Sequence, residues 1–169
     1  MSVLTYIASD SPLKEMRNPH IKLLSVNQAL EMGIKVHEFM LQALYDRDKT
    51  DVILWIDDDK NFGEISIRPF CKGDMFDNIY TEKRFCAHLE WEYTEDRAVK
   101  LIKYIKSHLI DAGQLELWNI WLGEWFDGSE LKVKKYYIPI EQLGISDLEK
   151  IFNKNKFEFP ECIIIARKG

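Results

Sequence analysis

Three cysteines in 169 residues, Cys71, Cys86 and Cys162, are too few and too scattered for a disulfide framework, and no CxxC pair suggests zinc or redox chemistry. That scarcity fits a reducing compartment. No apolar run approaches the ~18 residues of a membrane span, and the opening MSVLTYIASDSPLKEM lacks the basic start and unbroken apolar core of a secretion signal. Also lacking are a phosphate-binding loop, a nucleophile elbow, a paired metal-ligand motif, an internal repeat and a low-complexity tract. These absences predict a cytoplasmic protein with no membrane segment and no cofactor.

What is present can build a core. Hydrophobic residues make up 46% of the chain and aromatic ones 12%, including five Trp and nine Phe, enough for a single α+β domain over residues 1–169 without metal or disulfide staples. Lysine outnumbers arginine 17 to 6 alongside many Ile, Asn, Phe and Tyr, the bias of an AT-rich bacterial genome. The net charge of −5 is unevenly placed. Between Asp46 and Glu64 seven acids (Asp46, Asp48, Asp51, Asp57, Asp58, Asp59, Glu64) stand against three bases (Arg47, Lys49, Lys60), a local −4. Such a field repels nucleic-acid backbones and attracts basic proteins or cations.

The second half has the clearest local pattern. Phe85, Ala87, Leu89 and Trp91 alternate with Cys86, His88, Glu90 and Glu92, a strand with one apolar and one polar face. Thr94 then caps a helix in which Ala98, Leu101, Ile102, Ile105 and Leu109 recur at helical spacing, with Gly113 closing it. Residues 115–122, LELWNIWL, are apolar at alternate positions of both faces, so this strand is expected to be covered on both sides. A returning strand over 131–138, a helix over 147–152 capped by Ser146 with Glu149, and a buried strand over 161–167 complete a β-α-β-β-α-β order. That order predicts a mainly antiparallel sheet with a ferredoxin-like arrangement, extended by strands from the first half. An isolated ferredoxin-like unit would leave 115–122 at an edge, in conflict with its two apolar faces.

In the first half, residues 3–8 and 21–24 read as strands. Ser25 with Gln28 has capping-box spacing for a helix over 26–32, stopped by Gly33. Residues 37–45 suggest another helical turn. Apolar runs at 52–56 and 62–68, joined by DDDKN, suggest a β-hairpin. Residues 70–82 show no period and read as a long loop.

Several constellations invite chemistry. Asp57, Asp59 and Asn61 match the opening of a calcium loop, but Phe62 and Arg68 occupy the positions that need glycine and a bidentate acid. His88-Leu89-Glu90 has the H-x-E form of zinc deaminases without the downstream P-C-x-x-C. Cys86, His88, Glu90 and Glu92 share a strand face that could hold a ligand or metal, or carry acid-base chemistry completed by His20, His37 or His108. The polar face of an ordinary half-buried strand explains the same pattern. Trp118, Trp121 and Trp125 could offer an aromatic platform, and Lys100, Lys103 and Lys106 a basic stripe, which an amphipathic helix normally exposes to water.

The leading expectation is a non-catalytic, acidic protein-binding module. Asp57, Asp58, Asp59 and Glu64 would steer a basic protein partner, with Phe62 or Phe76 as apolar anchors. In composition alone the chain is similar to small acidic immunity proteins that neutralise basic toxins. The alternative is a small enzyme or a metal- or ligand-binding protein using the Cys86, His88, Glu90, Glu92 face. A third reading is a homo-oligomer joined through an exposed strand edge.

Overall fold

The computed structural model describes residues 2–70, 80–110, 113–122, 132–154 and 159–167. The chain forms two compact units. One comprises Met1–Arg17 with Ile65–Gly169, the other Asn18–Glu64.

The larger unit is a six-stranded, mainly antiparallel sheet with two α-helices among the described residues. Its strands are β1 (Ser2–Ser9), β4 (Ser66–Phe70), β5 (Phe85–Glu90), β6 (Gln114–Leu122), β7 (Lys134–Pro139) and β8 (Glu161–Ala166). Their order is β4-β5-β1-β6-β8-β7, with only the β7–β8 pair parallel. The ferredoxin-like order is not the one seen. Although β5, β6, β7 and β8 follow one another as expected, β1 inserts between β5 and β6, and β7 returns beside β8 rather than beside β6. Every described core position of β1 and β6 is covered: Tyr6, Ile7 and Ala8 on one strand, Leu115, Leu117, Trp118 and Ile120 on the other. The apolar character of both faces of 115–122 is therefore that of an internal strand, flanked by β1 and β8.

The helices α2 (Glu95–His108) and α3 (Ile145–Phe152) cover one sheet face. α2 begins at Thr94, whose hydroxyl accepts the Arg97 N–H at 3.2 Å, with Glu95 and Asp96 at its positive end. Ala98, Leu101, Tyr104 and Ile105 pack against Ile7, Ala87, Leu89, Leu115 and Leu117, each buried aliphatic side chain contributing about 1.5–3 kcal/mol of transfer free energy. Lys100, Lys103 and Lys106 face solvent. α3 starts earlier than its sequence signal suggests. Gly144 is the N-cap and its N–H donates to the Asp147 carboxylate at 3.0 Å, so Asp147, not Ser146, does the capping. The opposite sheet face holds a second cluster of Tyr6, Ala8, Cys86, Trp118, Ile120, Cys162 and Ile164.

The smaller unit has a two-stranded ribbon of β2 (Lys22–Leu24) and β3 (Ile53–Trp55), a short helix α1 (Val26–Glu31) and two 3-10 turns at Glu38–Leu41 and Asp59–Asn61. Ser25 and Gln28 close the expected capping box, and Gly33 leaves the helix end with φ 73°, which glycine adopts with no Cβ penalty. The expected hairpin between 52–56 and 62–68 does not form. β3 pairs with β2, β4 pairs with β5, and DDDKN makes a 3-10 turn between them. Buried apolar side chains in this unit are few: Leu24, Val26 and Ala29. No helix among the described residues is long and apolar enough to cross a membrane.

Candidate functional site

The acidic segment proposed from sequence lies in the smaller unit. Asp58 caps the turn at Asp59–Asn61 by accepting the Lys60 N–H at 2.9 Å. The Asp57 carboxylate accepts from Asn61 Nδ2 at 3.3 Å, and that hydrogen bond holds its pKa below the usual carboxylate value. Asp57, Asp58 and Asp59 are all exposed, whereas Glu64 is half-buried. Asn18 secures the same turn, donating through Nδ2 to the Asn61 carbonyl at 2.9 Å. Local hydrogen bonding thus explains why these residue types occur here, and it leaves three carboxylates presented to solvent on a fixed turn.

Apolar side chains lie exposed in the same unit. Phe62, named as an anchor, is 60% exposed; Phe76 lies outside the described residues. Leu23 and Leu54 sit directly opposite one another across the β2–β3 ribbon and are 48% and 51% exposed. Beside them Lys22 places its ammonium 5.0 Å above the Trp55 ring. Leu30, Met32, Phe39, Leu41 and Leu44 are also exposed, so eight of the thirteen large hydrophobic side chains exposed among the described residues fall within Asn18–Glu64. A soluble monomer does not usually concentrate its exposed apolar residues this way.

The alternative face, Cys86, His88, Glu90 and Glu92, lies in the larger unit. Cross-strand register sets Cys86, His88 and Glu90 on the sheet face opposite the helices, in rows with Phe70, Arg68 and Ser66 of β4. The Phe70 ring lies 4.3 Å from that of His88, and Arg68 forms an ion pair with Glu90. Cys86 is buried. Among the described residues no three His, Cys, Asp or Glu side chains converge on a metal position. Of the histidines named to complete this face, His108 alone lies in this unit. His108 is buried on α2 and accepts the Lys14 N–H at 3.0 Å, while His20 and His37 belong to the smaller unit.

His88, Glu90 and Glu92 do line a cleft. β1 and β5 pair only as far as Tyr6 opposite His88. Beyond that point β1 continues alongside β6 and β5 alongside β4, so the sheet forks. A cleft of about 500 Å³ lies in the fork, lined also by Thr5, Trp91, Tyr93, Asn119 and Phe152. Asn119 is 3% exposed; its Nδ2 donates to the Ile151 carbonyl at 2.9 Å, and its Oδ1 has no hydrogen-bond partner among the described residues. The buried Tyr93 hydroxyl is likewise without one. The sequence carries a signal for Asn119: it is the lone amide within residues 115–122, LELWNIWL, which are apolar on both faces.

A second, more polar cleft of about 580 Å³ includes Asp10, Thr81, Lys83, Glu116 and Lys135. Two of its carboxylates, Glu116 and Asp10, are internally engaged. Glu116 accepts from the Thr81 hydroxyl at 2.6 Å and the Trp118 indole at 2.8 Å, and Asp10 pairs with Lys83 at 2.6 Å. Trp118 is buried and stacked on Tyr6 with centroids 5.8 Å apart, so it serves the core rather than an exposed platform; Trp125 lies outside the described residues. Comparison with protein families, curated proteins and solved structures finds no match to this chain.

Proposed function

We propose that this protein is a cytoplasmic, non-catalytic binding module whose smaller unit engages a basic protein. The observation that carries this reading is the pairing of Leu23 with Leu54, opposed across the ribbon and half-exposed, with the Asp57–Asp59 carboxylates following in the same segment. An exposed apolar pair within a segment rich in exposed carboxylates offers the two ingredients of a specific interface. The leucines supply burial, and the acids supply steering and reject partners of like charge. Exposed carboxylates at a rim add little static affinity but raise the association rate in a salt-dependent way.

The partner is then a protein presenting an apolar knob within a basic surround. Capture from the native lysate tests this, with wild type and an Asp57→Asn, Asp58→Asn, Asp59→Asn triple variant in parallel at low and moderate salt. Asparagine keeps the turn-capping hydrogen bonds and removes only the charge. Retention of a basic protein by the wild type and its loss by the folded triple variant supports the reading. Equal retention by both, or retention of nothing basic, overturns it.

A further inference from the structure

β7 ends one side of the sheet, and its outer edge pairs with no strand among the described residues. Its bonds to β8 decide which backbone groups it turns outward. The Lys134 and Ile140 N–H groups donate to the carbonyls of Pro160 and Ala166, each at 2.9 Å. Successive residues of a strand aim their backbone groups at opposite neighbours. Lys134, Tyr136 and Ile138 therefore serve the ladder with β8, while Lys135 and Tyr137 turn N–H and C=O to the open edge, where neither has a backbone partner among the described residues. Pro139, next in that series, has no N–H, and its carbonyl accepts from the Gln142 N–H at 2.9 Å. A strand laid along this edge meets the donors and acceptors of Lys135 and Tyr137 and stops at Pro139.

Both faces of this edge are accessible. Lys134, Lys135, Tyr136 and Tyr137 are all exposed, Tyr137 to 72%, although β8 beside them is buried from Glu161 to Ile165. On the helix side a groove of about 310 Å³ runs between β7 and α3. Tyr136 and the half-buried Ile138 form one wall and Lys150 stands on the other, with Ile151 and Ile163 buried at the base. Residues 132–137, KVKKYY, carry three exposed lysines and no acid. Acids that adjoin the strand have partners: Glu161 accepts from Tyr136 and Lys154, Asp147 from the Gly144 N–H, and Glu116 from Thr81 and Trp118.

Lysines on an edge strand discourage indiscriminate strand addition. Two copies joined here would bring Lys134 and Lys135 of each onto one shared ladder, where like charges destabilise. An acidic strand reverses the sign of that interaction. The lysines that reject a second copy thus select a partner of opposite charge.

We propose that β7 is a docking edge for an extended acidic segment of a partner protein, which adds to the sheet through the backbone of Lys135 and Tyr137 and lays an apolar side chain over the groove beside α3. The edge lies wholly within the larger unit, so the inference is independent of the protein-binding reading of the smaller one.

The probe is an end-blocked peptide of alternating glutamate and valine, titrated into the full-length, isotope-labelled protein and followed by NMR, with a lysine–valine peptide as control. Saturable shifts and slowed hydrogen exchange are expected at the amides of Lys135 and Tyr137. Exchange at Tyr136 and Ile138, already bonded to β8, should change little. Binding should weaken with salt and be absent with the lysine peptide. Tyr137→Pro removes an outward N–H without touching the ladder to β8, a change edge strands tolerate, and should weaken the glutamate–valine peptide by roughly 10-fold. Lys132→Glu with Lys134→Glu, both at exposed positions, should exchange the preference between the two peptides and decides the matter where Tyr137→Pro does not fold. The proposal is overturned by no saturable shifts with the glutamate–valine peptide, by shifts centred away from β7, by equal binding of the lysine peptide, or by undiminished binding to a folded Tyr137→Pro protein. A dimer seen by light scattering without peptide and abolished by Tyr137→Pro would also overturn it, in favour of a second copy.

Discussion

His108 and Lys14, 94 residues apart, are joined by a hydrogen bond in which the imidazole Nε2 accepts the backbone N–H at 3.0 Å. The bond fixes the tautomer. A backbone amide can only donate, so Nε2 carries no proton, and Nδ1, 3.0 Å from the Tyr104 carbonyl, is the protonated nitrogen. One turn earlier on α2 the Tyr104 hydroxyl donates to the Lys14 carbonyl at 2.8 Å, so one helix face satisfies both backbone polar groups of a single loop residue. The loop after β1 is thereby held beside Leu13, which enters the core, and Met16, which bridges to Ile67 at the sheet edge.

Replacing His108 with Phe keeps a ring against Tyr104 and leaves the Lys14 N–H without its acceptor. We expect a loss of about 1–3 kcal/mol of stability, read as a lower urea midpoint at unchanged slope. An unchanged midpoint would show that the clamp contributes nothing.

Glu161 is buried at the start of β8 and accepts from Lys154 Nζ at 2.8 and 2.7 Å and from the Tyr136 hydroxyl at 3.0 Å. Lys154→Met leaves a buried carboxylate with the tyrosine alone, and because Lys154 is one-third exposed the expected cost is moderated to about 2–4 kcal/mol. The double variant Lys154→Met, Glu161→Leu should recover most of that loss. A single variant no worse than the double would contradict the assignment.

Burial drives the Tyr104 phenol well above the ordinary tyrosine value, outweighing the opposing hydrogen bond to Lys14. Below the unfolded tyrosine pKa of about 10 the group is neutral in both states and its stabilising effect is intact. As pH rises further the unfolded chain loses this proton while the native protein keeps it, so stability falls with pH. Tyrosinate absorbance and circular dichroism followed together should show at least one of the seven tyrosines ionising only as the fold is lost, and Tyr104→Phe should flatten the alkaline decline. Complete ionisation before any loss of dichroism would contradict this.

The elements with complete local signals were legible in the sequence. α2 announces itself by Thr94 and by apolar spacing that matches its buried face, and α1 by Ser25 with Gln28. Pairing was less legible, because period-2 alternation says which face a strand buries and not which strand lies beside it. Residues 115–122 carried a clue in their two apolar faces, and the neighbour that explains them, β1, lies more than a hundred residues away in the chain. The turn chemistry of DDDKN was read correctly as a turn; that it is a 3-10 turn following β3, and not the tip of a hairpin, depends on pairings that adjacent residues do not encode.

The acidic turn was visible in the charge count; Asp57, Asp58 and Asp59 are exposed to solvent, and Glu64 is half-buried. The Leu23–Leu54 pair was not, since each leucine sits in a strand three residues long where alternation has no room to show which side is exposed. His88, Glu90 and Glu92 were recognised as candidates without Asn119 and Tyr93, which join them at the cleft only through the fork between β1 and β5.

Calorimetric titration of the captured basic partner into wild type and a Leu23→Ser, Leu54→Ser variant tests the central claim most directly. Both residues are half-exposed, so the variant should fold normally, and removing about 1 kcal/mol of burial at each predicts an affinity lower by roughly 30-fold. Equal affinities for the two proteins would contradict the claim that this ribbon is where the partner binds.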